Sequence, residues 1–342
     1  MRRLLPEWHS QWGVLLAWPD AETDWAGALE QTRACYQTLL SVILGHQNVL
    51  LVCRQRESAD AARARLQEAG ANTARLRTVI ADYDDTWARD FGPITVEQDG
   101  RPLLLDFRFT GWGGKFIAER DDALNAALPW AVEREAVNLV LEGGAIDTDG
   151  RGTLLTTRAC LRNPNRNPAF SEAELEAALK QSLGVTRIFW LDHGHLEGDD
   201  TDAHVDTLAR FVNETTIAYV RCQDREDSHY PALAAMEREL QALAQTHALT
   251  LIPLPMAVAQ YNAEGERLPA TYANFLMTNR AILVPLYDCA TDDAALEALG
   301  AVAGARAVVG VPCRALIEQR GSLHCVTMQL PTGTLDESWT QE

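Results

Sequence analysis

Asp192-His193-Gly194-His195-Leu196-Glu197-Gly198-Asp199-Asp200-Thr201-Asp202-Ala203-His204-Val205-Asp206 packs three histidines and six acidic residues into one polar, glycine-containing segment. It runs directly into Val205-Asp206-Thr207-Leu208-Ala209-Arg210-Phe211-Val212, whose end has strand character. A turn at Asn213-Glu214 and a returning strand over 216–220 make this a β-hairpin with its first strand at 204–212. Helical spacing over 230–247 and an apolar strand over 249–254 follow. Hairpin, helix, strand is the unit into which the remaining chain divides.

Upstream, residues 92–96 and 103–109 form a hairpin around Gln98-Asp99-Gly100, whose Asp-Gly pair is suited to a tight turn. Helix 119–128 and strand 137–141 complete that unit. A second hairpin, 142–146 with 152–156, turns at Asp149-Gly150 and leads to helix 171–183 and strand 186–191. Downstream, 272–278 pairs with 281–285 around Asn279-Arg280, before helix 291–300 and strand 306–311. A fifth hairpin strand over 324–330 finds no partner after it, but the N-terminal strand 12–18 supplies one. That strand is followed by a helix capped at Thr23 or Asp24 and ended by Gly45, then by strand 48–53, helix 57–69 and strand 76–80. Five copies at intervals of roughly 50–70 residues, the last closed by both ends of the chain, point to a repeat architecture in the α/β class.

Composition narrows the function. The chain has 342 residues, 47% of them hydrophobic and 23% charged, as in an ordinary soluble globular protein. A formal net charge of −18 leaves no basic stripe for phosphates, so neither nucleic acid nor an anionic membrane surface is an expected partner. A cationic small molecule suits the charge better. Seven cysteines without CxxC spacing draw no zinc knuckle and no disulfide framework. The N-terminus has no signal-peptide core and no apolar run reaches membrane-spanning length, so the expected compartment is cytoplasmic with reduced thiols. A homo-oligomer is compatible with all of this.

Each hairpin's first strand begins at a polar residue: Asp90, Glu142, His204, Asn274 and Cys325. In a closed ring of such units these starts converge on one pocket, together with Asp206. On an extended chain His204 and Asp206, two apart, face the same way. Such a pair is either a metal site or a pair for proton transfer and cation binding. Several carboxylates would oppose ester or peptide hydrolysis, in which negative charge develops. They suit a guanidinium, whose N–H fork two carboxylates can grip while a thiolate attacks its carbon and a histidine moves protons.

The chain resembles the agmatine deiminases and bacterial peptidylarginine deiminases of the guanidine-modifying (pentein) superfamily over nearly its whole length. The resemblance rests on Glu7-Trp8, Trp18-Pro19, Asp85-Thr86-Trp87-Ala88-Arg89-Asp90-Phe91-Gly92-Pro93 and Gly111-Trp112-Gly113-Gly114-Lys115. It continues through Leu141-Glu142-Gly143-Gly144, Asn165-Arg166-Asn167-Pro168, Asp199-Asp200-Thr201-Asp202 with His204-Val205-Asp206, Tyr272-Ala273-Asn274-Phe275 and His324-Cys325. It implies a five-bladed α/β propeller forming a single catalytic domain over 1–342, and a cofactor-free, metal-free deimination through an amidino-cysteine. It further implies Cys325 as nucleophile, His204 as general acid/base, Glu142 orienting His204, and Asp90 and Asp206 holding the guanidinium. Trp87, Trp112, Asn274 and Asp200 are the further candidate substrate contacts. Two departures stand out: Ala203 replaces the glycine usual before the histidine, and Gln319-Arg320-Gly321-Ser322-Leu323 replaces a glycine-rich run before the cysteine.

Agmatine is the expected substrate, giving N-carbamoylputrescine and ammonia in putrescine biosynthesis, because Asp199, Asp200 and Asp202 can receive its ammonium. Free or peptidyl arginine is the alternative, with Arg108, Lys115 or Arg320 available for a carboxylate. A different class, a metal-dependent hydrolase on His193, His195, His204 and Asp206, needs ligands from one loop only. A non-catalytic guanidine or polyamine binder is the third reading.

Overall fold

The computed structural model describes residues 2–336 of an α/β chain. Among them, five sheets repeat one strand order: an antiparallel hairpin, then a strand parallel to its second member. A parallel neighbour cannot be reached by a tight turn. In every sheet a helix makes that crossover.

The unit first read from the sequence holds Ala209–Asn213, Thr216–Arg221 and Thr250–Pro255, with helix Tyr230–His247 between the last two. The unit before it pairs Ile146–Thr148 with Thr153–Thr157 and adds Arg187–Leu191. Its helix, Glu172–Leu183, begins at a Ser171/Glu174 capping box and buries Leu175, Leu179 and Leu183 on one stripe. The earliest hairpin, Ile94–Gln98 with Arg101–Arg108, turns through Asp99 and Gly100, both at positive φ as its tight turn requires. Arg134–Val140 lies on one edge of that sheet and Arg2–Leu4 on the other. Leu276–Met277, Ala281–Leu286 and Ala307–Pro312 form another sheet. In the last, Met328–Pro331 runs antiparallel to Gln11–Ala17, followed by Asn48–Cys53 and Leu76–Ile80.

The structure corrects the expected strand starts. Ala88–Phe91 is a single helical turn, and Gly143–Ala145 and Val205–Thr207 are 3-10 turns. Tyr272–Ala273 and residues 323–326 are turns as well. Bonds such as Ala145 N–H to the Glu142 carbonyl (3.1 Å) and Thr207 N–H to the His204 carbonyl (3.2 Å) close them. Each hairpin strand therefore begins two to five residues after its polar residue, which sits on or beside a compact turn at the strand's mouth. Helix 119–128 is also shorter than expected: it stops at Leu124 and continues as 3-10 turn Asn125–Ala127. Gln260–Tyr261 and Arg267–Leu268 pair as a small extra hairpin. No helix of the described residues is long and apolar enough to cross a membrane.

Ala203 has φ +67°, the left-handed region where a Cβ costs about 1–2 kcal/mol. The glycine usual at this position thus has a physical reason here. Ala203→Gly should stabilise the fold by about 0.5–1 kcal/mol, the relieved strain less the added freedom of the unfolded chain. Denaturant unfolding would measure it, and an unchanged midpoint would mean the conformation costs nothing here.

Candidate active site

Trp87, Asp90, Trp112, Asp200, His204 and Cys325 line one pocket of about 690 Å³. Glu142, Asp206 and Asn274 lie behind that surface, fully buried. The nine candidates thus form two layers, one facing the cavity and one supporting it.

Gly144 is the point on which the floor converges. A Cβ there would lie 2.6 Å from His204 Nδ1, 2.8 Å from Asp90 Oδ1 and 3.1 Å from Asp206 Oδ2, so only glycine lets the three side chains meet. Its N–H donates to Asp90 Oδ1 at 2.9 Å, and Trp112 Nε1–H donates to Asp90 Oδ2 at 2.9 Å. His204 Nδ1 stands 3.6 Å from Asp90, and its Nε2 stands 4.0 Å from Glu142 Oε2. His204 and Asp206 reach the same centre from a 3-10 turn, not from the common face of a strand.

Charge on these groups is set by burial and by each other. Burial opposes the imidazolium of His204, but Asp90, Cys160 and Glu142 outweigh it and hold its pKa well above the usual value. Burial, tempered by His204 and reinforced by Asp206, pushes Asp90 up to about 6. The Cys325 thiol is driven well above its ordinary pKa by burial first, then by Asp206 and Asp90. Asn274 holds the thiol: its Nδ2–H lies 3.3 Å from both Cys325 Sγ and Asp206 Oδ2. Its Oδ1 accepts the backbone N–H of His324 at 2.9 Å. The remaining Asp206 oxygen, Oδ1, is buried without a partner.

Beneath this layer lies a network that sequence reasoning missed. His324 Nδ1 is 2.7 Å from Asp206 Oδ2, and its Nε2 is 2.6 Å from Glu7 Oε2. Glu7 also accepts from Arg210 at 2.6 Å, and Arg210 faces Asp147 at 3.4 Å. Burial opposes the Glu7 charge, but Arg210, His324 and Arg89 outweigh it and keep the carboxyl ionised far below the usual range. Glu142 is gripped by the buried Arg166, whose Nε–H reaches Oε1 at 2.8 Å. Arg166 in turn pairs with Asp202 at 2.5 Å, and Lys115 pairs with Asp202 at 2.9 Å. Glu7, Arg166 and His324 stand in the quoted motifs, but nothing local in the sequence names their partners.

Glu22, Asp24, Asp84, Asp85, Asp121 and Asp199 join Asp200 in the lining, although burial raises Asp85 to about 7 and Asp121 to about 8, so these two carry little of the negative charge. Asp199 is spent on the N–H groups of Thr201 and Ala203, and Asp202 on Lys115 and Arg166. Asp200 makes no ion pair among the described residues, and burial followed by Asp199 raises it to about 6. Of the cations considered for a substrate carboxylate, Lys115 and Arg320 line the pocket but are paired with Asp202 and Glu266, while Arg108 lies outside it. Trp87 packs on Gly321, where a Cβ would fall 2.0 Å from the ring.

The metal cluster imagined on one loop does not form. His193 is exposed and bonded to Glu239 at 2.5 Å, and the His195 ring faces His229. The loop leaves strand Arg187–Leu191 toward helix Tyr230–His247, which carries both histidines away from His204 and Asp206.

A thiol, an imidazole and carboxylates around an acidic pocket make a site that can seat a planar cation against a nucleophile. A family model for Porphyromonas-type peptidyl-arginine deiminase matches residues 3–331, and the chain belongs to that family. A protein of Shewanella sp. (strain MR-7) named "Putative agmatine deiminase" is 31% identical, over 96% of this chain and 93% of that one. The agmatine deiminase of C. jejuni, as a cysteine-to-serine variant with substrate bound, superposes with a TM-score of 0.91 at 35% identity, over 98% of each chain. A structure described as "Putative Arginine Deiminase from Porphyromonas gingivalis" gives 0.90 at 46% identity, over 98% of this chain and 100% of that one.

Proposed function

We propose that this protein hydrolyses agmatine to N-carbamoylputrescine and ammonia, the chemistry named for its relatives. The observation that carries the reading is one pocket with Cys325, His204 and Asp90 at its floor and acidic residues at its mouth. The guanidinium docks against Asp90 and the unpartnered oxygen of Asp206. With the docked cation favouring the thiolate, Cys325 releases its proton to solvent and attacks the central carbon. His204, protonated in the free enzyme, donates to the departing nitrogen as ammonia leaves. The amidino-cysteine is then attacked by water, whose proton His204 takes, and the ureido product leaves Cys325 as a thiol. Glu142 orients His204, Asn274 positions the thiol, and Trp87 and Trp112 wall the alkyl chain. None of these steps calls on a cofactor.

Five sheets of one strand order, with the chain's two ends paired in one of them, support reading the architecture as a five-bladed α/β propeller and one catalytic domain. Seven free thiols are in keeping with a reducing, cytoplasmic setting. Incubation with agmatine, free arginine and an arginyl peptide in parallel, with ureido product and ammonia measured, tests the reading. Agmatine should be turned over fastest, and binding without turnover of any of the three would leave only a binder. The arginyl peptide is the second reading, favoured by the exposed Phe116 and Ile117 at the mouth of so large a pocket.

The unpaired Asp200 suits the agmatine ammonium. Asp200→Asn should raise KM about tenfold or more and change kcat little, because the amine lies far from the reacting carbon. An unchanged KM would remove Asp200 from the tail subsite.

Thiol ionisation should depend on the arriving cation. With Cys325 raised by burial, Asp206 and Asp90, little thiolate exists near neutrality in the free enzyme, and its fraction grows only as pH rises past the ordinary thiol range. A cationic haloacetamidine supplies the missing charge and should alkylate Cys325 far faster than iodoacetamide at neutral pH, beyond its advantage with a small thiol. Equal relative rates would mean that the thiol ionises unaided.

A further inference from the structure

Cys160 plays no part in the steps above, yet it stands against their proton carrier. It is fully buried on the short helix Arg158–Leu161 and, unlike His204, is not among the residues lining the pocket. One ligand atom each from Glu142, Cys160 and His204 lies within 4.8 Å of the other two. By hydrogen-bond geometry His204 Nε2 and Glu142 Oε2 are both buried without a partner, 4.0 Å apart, although the Cys160 thiol lies close enough to the imidazole to help raise it. Buried polar atoms left unpaired are uncommon and ask for an explanation.

We propose that Glu142, Cys160 and His204 form an inhibitory binding site for a borderline-soft divalent cation such as zinc. Thiolate, imidazole and carboxylate are the donor set that zinc takes, at about 2.0–2.3 Å from the metal. Ligand atoms around such an ion stand roughly 3.3–3.8 Å apart, so the trio need close by at most about 1–1.5 Å. One thiolate and one carboxylate balance the ion's charge. Arg166 remains on the other Glu142 oxygen as an outer partner, its own charge matched by Asp202. The pocket gives access, since His204 is in its lining. Binding releases two protons to solvent, one from the Cys160 thiol and one from the His204 imidazolium. No electrons move. With its Nε2 on the metal, His204 can neither protonate ammonia nor activate water, so the ion is a brake on deimination. This set shares only His204 with the one-loop cluster that does not form, and it inhibits instead of catalysing.

The inhibition rests on the proposed reaction, but the binding does not, and the two are read separately. Chelator-treated protein is titrated with cobalt(II), whose bond to a thiolate gives a near-ultraviolet charge-transfer band. One equivalent should bind with that band, and zinc should displace it. The band should persist in Cys325→Ser and vanish in both Cys160→Ser and Cys160→Ala, with thermal unfolding used to confirm that each variant is folded. Zinc should also slow ammonia release in wild type, reversibly on chelation, and at least tenfold more zinc should be needed once Cys160 is replaced. A band that survives in the Cys160 variants but is lost in Cys325→Ser would overturn the proposal by assigning the metal to the nucleophile. Absence of stoichiometric binding at micromolar cobalt would overturn it as well.

Discussion

Cys325→Ser should lower deimination by at least about 10³-fold while leaving agmatine bound. The side chains are nearly isosteric, so the loss would be chemical and not structural. Cys325 is buried between Asp206 and Asp90, which already resist ionisation of a thiol. A serine hydroxyl holds its proton far more tightly, and the docked guanidinium cannot make up the difference. Asn274 offers both a donor and an acceptor to the Cys325 sulfur and can serve a hydroxyl as well. The carboxylates that would grip the substrate are untouched. Ammonia release measures the first half of the expectation and equilibrium binding of agmatine the second. Activity within tenfold of wild type would remove Cys325 as nucleophile. Lost binding with lost activity would mean that the thiol is part of the cradle.

How far the sequence disclosed this site depended on whether a residue's partner is local. Helix Glu172–Leu183 was legible because its capping box, apolar stripe and terminal glycine all lie within its own span. Helix Tyr230–His247 was legible to the residue, and the earliest hairpin through its Asp99-Gly100 turn. The turns carrying Asp90, Glu142 and His204 were not, since a turn of three or four residues is too short to display a period. The alternation of His204 and Asp206 therefore passed for a strand. Arg2–Leu4, three residues on a sheet edge, gave no pattern either. Least legible was the support beneath the floor. Glu7 meets His324 across 317 positions and Arg210 across 203, and neither contact leaves a trace in the neighbouring sequence. Glu142 was expected to orient His204; the discovery is that Arg166 holds Glu142.

That layering bears on the carboxylates, whose replacement is the second large effect expected. Asp90→Asn and Asp206→Asn should each cost about 2–4 kcal/mol in kcat/KM, roughly 30-fold to 1000-fold, if each loses a charge-assisted contact in a site closed to water. A gain opposes the loss at both positions. Removing either charge lowers the Cys325 pKa, and each unit of that shift returns at most about 1.4 kcal/mol. The loss should win, because in the wild-type complex the guanidinium already offsets the carboxylates and favours the thiolate. The two variants should differ with pH. Asp206 stays ionised: burial opposes its charge, but the His324 hydrogen bond prevails and holds its pKa below the usual value. Asp90, raised to about 6, takes up a proton as pH falls through that value and then ceases to attract the cation. Below about pH 6 wild-type kcat/KM should therefore fall more steeply, this limb adding to the decline that the raised Cys325 thiol already imposes as pH drops. Asp206→Asn should retain that acid limb, moved lower because one repelling charge is gone. Asp90→Asn should lose it and show a flatter profile at its reduced level. Changes of less than threefold in both variants would sink the carboxylate cradle, and an unaltered acid limb in Asp90→Asn would assign that proton to another group.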